Sequence, residues 1–406
     1  MTICADELRK IIFLAPDLGD VSTGKRVKAL LSNGFDVLVF SFRRDGWYNK
    51  DYTPPCPTVD LGTTYNSRYL NRITSLLKAM GTLYSNRGRI ADASAIYSRN
   101  IDQLVLALFC RLFIVRAPIV YEVLDIVPVF IGNSLKSRLF RSLERTMLRS
   151  VSLLLTSSAP YVTQFYQPVM KYAGAWGLVE NKLGRDALPL VGHRCSAETG
   201  REPLAGFDWI VGYFGTIKGM TTFNLIRDLA VRLPRVKFLL HGIVTSVDPC
   251  EFENTLRECP NLEFGGAYVN PDDLPTLYAR VDMTWALDLA NVNANSLWCM
   301  ACRFYESGAF GIPLLAVREQ HVGQEIDRLD MGWTFSEPYA DNMEHFFRNL
   351  TRTEYEAKRR SLLRVPLDRF VDLDGGQHLS SSIREMIRDT CKRDRSRKLP
   401  PSVASV

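Results

Sequence analysis

Short apolar segments recur along this chain in two separate series, with helix-length amphipathic segments between them. Short strands that alternate with helices are typical of βαβ units, in which the strands of one sheet run parallel. The sequence therefore predicts two parallel α/β sheets. The predicted strands cover residues 10–15, 36–42, 95–98, 118–123, 152–156 and 177–180 in the first series, and 209–214, 236–241, 262–264, 282–286, 313–317 and 332–335 in the second.

A segment rich in Gly, Pro, Arg, Ser and Glu, residues 183–208, separates the two series and has the composition of a linker. A chain of 406 residues also exceeds one comfortable hydrophobic core. We therefore predict an α/β protein of two Rossmann-like domains, 1–195 and 205–390, that face each other across a cleft. The basic and then Pro- and Ser-rich tail, 392–406, is predicted to be disordered.

The composition is that of an ordinary globular protein, because apolar residues make up 46% of the chain and charged residues 23%. Nine cysteines without a repeating spacing, in a chain with no recognisable signal peptide, indicate reduced thiols in the cytoplasm. No apolar run approaches the roughly twenty residues that cross a bilayer. These features favour a cytoplasmic protein that can touch a membrane without crossing it.

The segment Asn295–Pro313 carries the strongest chemical signal. Residues 302–310 are predicted to form a helix that Gly311 ends, and Pro313 opens the strand that follows. Glu306 would then lie near the strand ends where α/β sheets bind ligands, and its two oxygens can accept both ribose hydroxyls of a nucleotide. The alternative is a surface glutamate on an ordinary helix.

A second candidate feature is the pair Gly215 and Gly219, which brackets Lys218 after a predicted strand. Backbone N–H groups at such a strand-to-helix turn, together with one cation, can hold a diphosphate against the helix N-terminus. Lys218 would supply that charge alone or share it with Arg303. The alternative is a tight turn with a solvated lysine.

Carboxylates in the first domain are candidates for the general base. Asp125 follows a predicted strand and is the first candidate, and Asp20, in the loop after the first strand where cleft residues are expected, is the fallback. That loop approaches the phosphate-binding pattern G-x-x-x-x-G-K-[ST], but Arg26 occupies the Ser/Thr position and cannot hold Mg²⁺. The alternative for Asp125 is an N-cap or turn carboxylate.

Several motifs together resemble GT-B glycosyltransferases, especially glycosyltransferase family four and the bacterial exopolysaccharide enzymes of succinoglycan type. The motifs are Leu14-Ala-Pro-Asp-Leu-Gly-Asp20, Ile96-Tyr-Ser-Arg99-Asn100-Ile-Asp102, Tyr121-Glu122-Val-Leu-Asp125, Leu178-Val-Glu-Asn-Lys182, Tyr213-Phe-Gly-Thr-Ile-Lys-Gly219, Tyr278-Ala-Arg-Val-Asp282 and Asn295 through Pro313.

The resemblance implies an acceptor site in the first domain, with Asp17, Arg99 and Asn100, and a nucleotide-sugar site in the second domain. The implied donor-binding residues are Gly215, Lys218, Asn295, Ser296, Arg303 and Glu306. Two positions depart from the family pattern. Trp298 stands where the first Glu of the E-x7-E region is expected, and Leu124 stands where retaining relatives carry His, which favours an inverting mechanism.

We expect no metal cofactor, because an inverting transfer needs only a carboxylate base and stabilisation of the departing diphosphate. Asp372-Leu-Asp374 is interpreted as a turn, and the five histidines lack metal-ligand spacing.

Two basic amphipathic segments, residues 66–90 and 135–149, indicate attraction to an anionic membrane surface or to a polyprenyl diphosphate. Such stripes are more often helices whose apolar side faces the core. No nucleic-acid-binding module is recognised, so we expect no nucleic-acid partner.

The sequence therefore predicts a hexosyltransferase that uses a UDP-linked sugar and a polyprenyl-diphosphate-linked oligosaccharide acceptor. It would act in exopolysaccharide synthesis at the inner face of the cytoplasmic membrane. The alternatives are a GT-B-fold nucleotide-sugar epimerase and a non-catalytic partner that binds the sugar nucleotide.

Overall fold

The computed structural model describes residues 9–44, 53–64, 69–192, 206–290 and 295–398. Within these ranges the chain forms two compact units. Unit 1 comprises the described residues of 1–125, 132–179 and 374–406, and unit 2 comprises those of 126–131 and 180–373. No helix in the described ranges is both long and apolar enough to span a membrane.

Unit 1 contains a seven-stranded parallel sheet in the order β3-β2-β1-β4-β5-β6-β7. Its strands are β1 (Lys10–Ala15), β2 (Asp36–Arg44), β3 (Thr58–Thr64), β4 (Ala95–Arg99), β5 (Ile119–Val123), β6 (Val151–Thr156) and β7 (Trp176–Leu178). Its first helices are α1 (Val21–Ser32), α2 (Tyr69–Ser85), α3 (Arg87–Ile90), α4 (Asn100–Phe113) and α5 (Leu135–Leu148).

Unit 2 contains a six-stranded parallel sheet in the order β10-β9-β8-β11-β12-β13, which is the strand order of a Rossmann fold. Its strands are β8 (Trp209–Lys218), β9 (Val236–Thr245), β10 (Leu262–Phe264), β11 (Met283–Trp285), β12 (Leu314–Val317) and β13 (Gly332–Phe335). Its helices are α6 (Met220–Arg232), α7 (Pro249–Glu258), α8 (Leu274–Tyr278), α9 (Asn295–Trp298), α10 (Cys302–Phe310), α11 (His321–Leu329), α12 (Tyr339–Asn349) and α13 (Arg352–Arg364).

The last helix, α14 (Gln377–Lys398), belongs to unit 1. Its apolar side chains Leu379 and Ile383 join the same core as Ile11 and Phe13 of β1. The units depart from the predicted domains at several places, because residues 126–131 and 180–192 lie in unit 2 and not in the first domain. Residues 374–390 lie in unit 1 and not in the second domain, and the helix continues to Lys398, inside the segment predicted to be disordered.

The sheets are buried on both faces, which explains their nearly continuous apolar strands. In β8, Val211 and Tyr213 enter one core cluster, whereas Ile210 and Phe214 enter another. Alternate residues of a strand point to opposite faces, so these two clusters cover the two faces of the unit 2 sheet.

Candidate active site

Helix α10 holds Glu306 as the sequence predicted, and Gly311 ends the helix in the left-handed conformation with φ of 71°. Only 4% of the Glu306 surface is exposed. Its Oε1 accepts a hydrogen bond from Asn270 Nδ2 at 2.8 Å, and its Oε2 accepts one from the Tyr278 hydroxyl at 3.0 Å. The alternative of a surface glutamate is therefore wrong.

Aromatic packing fixes the partners of this carboxylate. The Tyr278 ring stacks on Phe310 at 5.0 Å and meets the edge of Phe214 at 5.1 Å. Burial raises the pKa of the Tyr278 hydroxyl, and the neighbouring Glu306 raises it further, so the hydroxyl remains a hydrogen-bond donor. Asn270 belongs to no recognised motif, and Tyr278 was noted only as the first residue of Tyr278-Ala-Arg-Val-Asp282, so the sequence reasoning missed both contacts with Glu306.

The junction between β8 and α6 differs in detail from the predicted turn. The strand continues through Lys218, and only Gly219 makes the turn, with φ of 73° as the N-cap of α6. Gly215 lies inside the strand with φ of 127°, and a side chain there would meet no atom within 4 Å. Open space beside a glycine backbone leaves room for a ligand to approach closely.

This junction lies at the position where α/β sheets bind ligands. From β8 the chain adds β9 and β10 on one side of the sheet, and it then adds β11, β12 and β13 on the other side. The carboxyl end of β8 therefore lies at the topological switch point, where the strand order reverses. Arg303 reaches the same place from α10. Its guanidinium lies over the Tyr213 ring at 4.2 Å, and its Nη1 is 3.5 Å from the carbonyl oxygen of Phe214, next to Gly215. Lys218 is exposed.

The remaining predicted donor residues lie on the short helix α9. Asn295 Oδ1 accepts a hydrogen bond from the backbone N–H of Ile126 at 3.3 Å, and Ser296 is fully buried. The structure therefore brings Gly215 and Arg303 together, whereas Asn295 orders the backbone at Ile126.

Unit 1 contains a buried charge cluster around Glu122 of β5. Its Oε2 accepts hydrogen bonds from Arg99 Nε at 2.8 Å and from the Tyr97 hydroxyl at 2.8 Å, and its Oε1 accepts one from Arg26 Nε at 3.0 Å. Burial opposes the charge on Glu122, but the guanidinium groups of Arg99 and Arg26 prevail and hold its pKa below the usual range.

Arg99 was predicted to bind the acceptor, and the structure corrects this. The residue is fully buried. Besides Glu122, its nitrogens donate to the hydroxyls of Thr23 at 2.5 Å and Ser22 at 2.7 Å. Its guanidinium serves the interior of unit 1, with no exposed surface for a ligand to contact.

The two loop carboxylates, Asp17 and Asp20, have local structural roles. Asp17 is buried, and its Oδ1 accepts a hydrogen bond from the Gly19 backbone N–H at 3.2 Å, which orders this loop. Asp20 caps α1 by accepting from the backbone N–H of Ser22 at 2.7 Å, and its Oδ2 lies 3.9 Å from Arg99 Nη1. Asp20 remains partly exposed.

Asp125 is exposed and follows the carboxyl end of β5. Asn100, another predicted acceptor residue, begins α4 with a positive φ of 68°. Its Oδ1 accepts a hydrogen bond from the backbone N–H of Leu124 at 3.3 Å, which orders the chain immediately before Asp125. Of the two base candidates, Asp125 presents the more accessible carboxylate.

One further polar side chain lies near Phe214 in unit 2. The His241 ring is buried at the register position beside Phe214, and neither of its nitrogens has a hydrogen-bond partner among the described residues. Burial, and then the charge of Arg280, lowers the pKa of this imidazole. The described residues form no group of three or more His, Cys, Asp or Glu side chains that could hold a metal ion.

Two parallel sheets with Rossmann strand order define the GT-B class of fold. Comparison with solved structures agrees. A structure of Anabaena Alr3699/HepE in complex with UDP and glucose covers 92% of this chain and 99% of its own, with a TM-score of 0.64 and 15% identity. The catalytic domain of starch synthase IV from Arabidopsis thaliana, bound to ADP and acarbose, covers 94% and 99%, with a TM-score of 0.64 and 12% identity.

The sequence comparison finds a relative from Rhizobium meliloti, the succinoglycan biosynthesis protein ExoL. It is 29% identical over 310 residues, which cover 75% of this chain and 76% of ExoL. No family model matches the chain. The α/β GT-B fold class is confirmed, and so is the resemblance to GT-B glycosyltransferases and to succinoglycan-type proteins.

Proposed function

We propose that this protein transfers a hexose from a UDP-linked sugar to a polyprenyl-diphosphate-linked oligosaccharide during exopolysaccharide synthesis, with inversion at the anomeric carbon. The single observation that carries the donor half is the buried carboxylate of Glu306 on α10, which accepts hydrogen bonds from Asn270 and Tyr278 of unit 2. The description of ExoL as a succinoglycan biosynthesis protein supports the pathway.

The donor half of the proposal places the ribose at Glu306. A carboxylate has about four acceptor positions, and protein donors occupy two of them here, so each oxygen can accept one hydroxyl more. The diphosphate would lie beside Gly215, near Arg303 and Lys218, with the N-terminus of α6 adding its partial positive charge. The UDP bound in the HepE structure supports a UDP-linked sugar as the donor.

The transfer itself needs a base and a stabilised leaving group. In the proposed step, Asp125 takes the proton of the acceptor hydroxyl, whose oxygen bonds to the anomeric carbon. The bond from that carbon to the phosphate oxygen breaks, and UDP departs with the electron pair. Arg303, Lys218 and backbone N–H groups would stabilise the diphosphate, so the proposal requires no metal. Asp20 is the second candidate for the base.

The proposed location is the inner face of the cytoplasmic membrane. Lys78, Arg138 and Arg145 are exposed on α2 and α5, as attraction to anionic lipid requires. Arg141 is half-buried and donates to the Gly132 carbonyl at 2.7 Å. In the basic segment 66–90, Arg68 and the side chain of Arg72 lie outside the described parts of the chain.

The test is a transfer assay with purified protein, a panel of labelled nucleotide hexoses and membrane lipid extract. Label in the lipid fraction that depends on one UDP-hexose supports the proposal, and NMR of the product reports whether the anomeric configuration inverts. Free sugar or an epimer formed without lipid would indicate an epimerase. Nucleotide binding without turnover would indicate a non-catalytic partner.

Substitution of the two carboxylates identifies the base. We expect Asp125→Asn to lower turnover by about 10²- to 10⁴-fold and to leave donor binding intact, because only proton transfer is lost. Asp20→Asn is the comparison, and it should be accompanied by a stability measurement because Asp20 caps α1. If both variants keep turnover within a few-fold of the parent, neither carboxylate is the base.

A further inference from the structure

Three helices of unit 1 lie side by side on one face of its sheet. The crossovers that lead from β3 to β4, from β4 to β5 and from β5 to β6 all proceed in the same direction across the sheet. Right-handed crossovers therefore place α2, α4 and α5 on the same face. Helix α4 contacts both α2 and α5.

The outer surface of these helices is unusually apolar. In α5, Leu135, Leu139 and Leu143 are 82%, 68% and 53% exposed. They are spaced four residues apart, so they form one stripe about 12 Å long along the helix. Large apolar side chains are also exposed on the neighbouring helices, namely Ile73, Leu77 and Tyr84 on α2 and Leu112 and Phe113 at the end of α4. We call these eight residues the apolar face.

The exposed charged side chains that α2, α3 and α5 place beside the apolar face are all basic. Exposed basic side chains flank it on α2, on α5 and in the α2–α3 region, namely Lys78, Arg87, Arg89, Lys136, Arg138, Arg145 and Arg149. The one acid of α5, Glu144, is buried and accepts hydrogen bonds from the hydroxyls of Tyr121 at 3.0 Å and Tyr166 at 2.7 Å. The acid therefore points inward, and only the cations of α5 reach the surface.

We infer that the apolar face inserts into the headgroup and upper acyl region of an anionic bilayer, with the leucine stripe of α5 as its main anchor. This deepens the proposed membrane location. Basic residues alone would hold the protein at the lipid surface, whereas exposed leucines between them gain free energy only when they leave water. The apolar stripe matches the acyl region of one leaflet of an anionic membrane, and the basic rim matches its headgroup region.

Two other occupants, a second copy of the chain and single-stranded nucleic acid, fit the apolar face less well. In a two-fold contact between copies of the chain, the basic rims would face each other and repel. Single-stranded nucleic acid would satisfy the cations, but it binds through stacking on aromatic side chains, and six of the eight side chains of the apolar face are aliphatic.

The first experiment compares binding to vesicles by flotation. The variant Leu139→Gln/Leu143→Gln removes half-exposed apolar surface without changing charge, and Val231→Gln on α6 of unit 2 is the matched control, because Val231 is 68% exposed. We expect each leucine substitution to weaken partitioning into anionic vesicles by about tenfold, from the transfer free energy of a leucine side chain. The control should bind like the parent.

Salt separates insertion from surface attraction. At about 1 M salt the Debye length is only about 3 Å, so a purely electrostatic complex dissociates. We expect parent protein bound to anionic vesicles to remain partly bound, whereas the double leucine variant should be released. Complete release of the parent, or equal binding by the parent and the variant, would overturn the proposal.

Two more measurements cover the other outcomes. Leu139→Trp should gain fluorescence that lipids brominated on their acyl chains quench, and absence of quenching in bound protein would contradict insertion. If light scattering shows a dimer that the double variant converts to a monomer with unchanged vesicle binding, the apolar face is a contact between copies.

The proposed function can fail separately from this inference. The double leucine variant should transfer sugar to a short-chain, water-soluble acceptor as fast as the parent, because none of its changed residues lies in the proposed donor or base sites. Loss of vesicle binding with intact transfer supports insertion. If neither the parent nor the variant transfers sugar, while the parent still inserts into vesicles, the proposed glycosyl transfer is wrong and the membrane inference is unaffected.

Discussion

Glu306→Gln tests the donor site with the smallest change in shape. The glutamine carbonyl can keep the hydrogen bond from Asn270 Nδ2, now 2.8 Å from Oε1. Its amide can donate to the Tyr278 hydroxyl oxygen, which now donates to Oε2 at 3.0 Å and whose proton is free to rotate. The substitution therefore preserves both contacts with the protein and removes the negative charge that the ribose hydroxyls would meet.

The number of hydrogen-bond acceptors that the substitution removes sets the expected loss of UDP affinity. A hydrogen bond to a charged group contributes about 1.5–3 kcal/mol. In the variant, the amide nitrogen replaces one acceptor oxygen, so at least one ribose hydroxyl loses a charged acceptor. We expect the dissociation constant for UDP to rise by about 10- to 150-fold, the same free energy expressed as an affinity ratio.

Calorimetric titration with UDP measures this change directly. Glu180→Gln is the matched control, because Glu180 also accepts hydrogen bonds from a tyrosine of α10, Tyr305, at 2.9 Å and from Arg369 at 2.8 Å. The control should bind UDP like the parent. Unchanged UDP affinity in a folded Glu306→Gln variant would refute the ribose assignment.

Most of the fold followed from the pattern of apolar segments, because fully buried parallel strands are short continuous apolar runs. The exception is β3, Thr58–Thr64, which the sequence reasoning did not find. It is the edge strand of its sheet, and its sequence TVDLGTT is largely polar. The long pair β8 and β9 extends beyond the predicted strands, because their last residues continue to pair from Gly215 to Lys218.

The role of Arg99 could have been found with one more step. Arg99 and Glu122 are register partners in the neighbouring parallel strands β4 and β5. Side chains at paired positions point to the same face, so recognition of the two strands as neighbours predicts an ion pair. The burial of Asp17 had no such signal, because it depends on how the loop after β1 folds back.

The surface of α5 shows why helical periodicity alone does not predict which side of a helix is buried. An apolar stripe at helical spacing does not state whether it faces the core or the solvent, and a core-facing side was the more common interpretation. The residues that α5 buries include Ser137 and Glu144 together with Met147 and Leu148. Glu144 is accommodated by two tyrosine hydroxyls from distant positions, which the local sequence does not reveal.

Three further substitutions test how each unit is held together. Gly308→Ala would place a methyl group 2.2 Å from the ring of Phe370, which is fully buried, so we expect unit 2 to lose about 1–3 kcal/mol of stability by overpacking. Gly81→Ala on α2, where the added atom meets nothing within 4 Å, should instead gain up to about 1 kcal/mol, and thermal unfolding that moves both variants alike would contradict the packing argument. Glu122→Gln leaves the buried guanidinium of Arg99 without its charged partner, at an expected cost of about 3 kcal/mol near neutral pH. Because the pKa of Glu122 is lowered in the folded protein, its ionised form stabilises the fold above the pKa of the unfolded chain, about 4.3, and this contribution is lost as the pH falls through the lower folded value. Urea unfolding should therefore show a large difference between parent and variant at pH 7 that shrinks steadily below about pH 4, and a difference that stays constant over this range would mean that the charge of Glu122 does not stabilise unit 1.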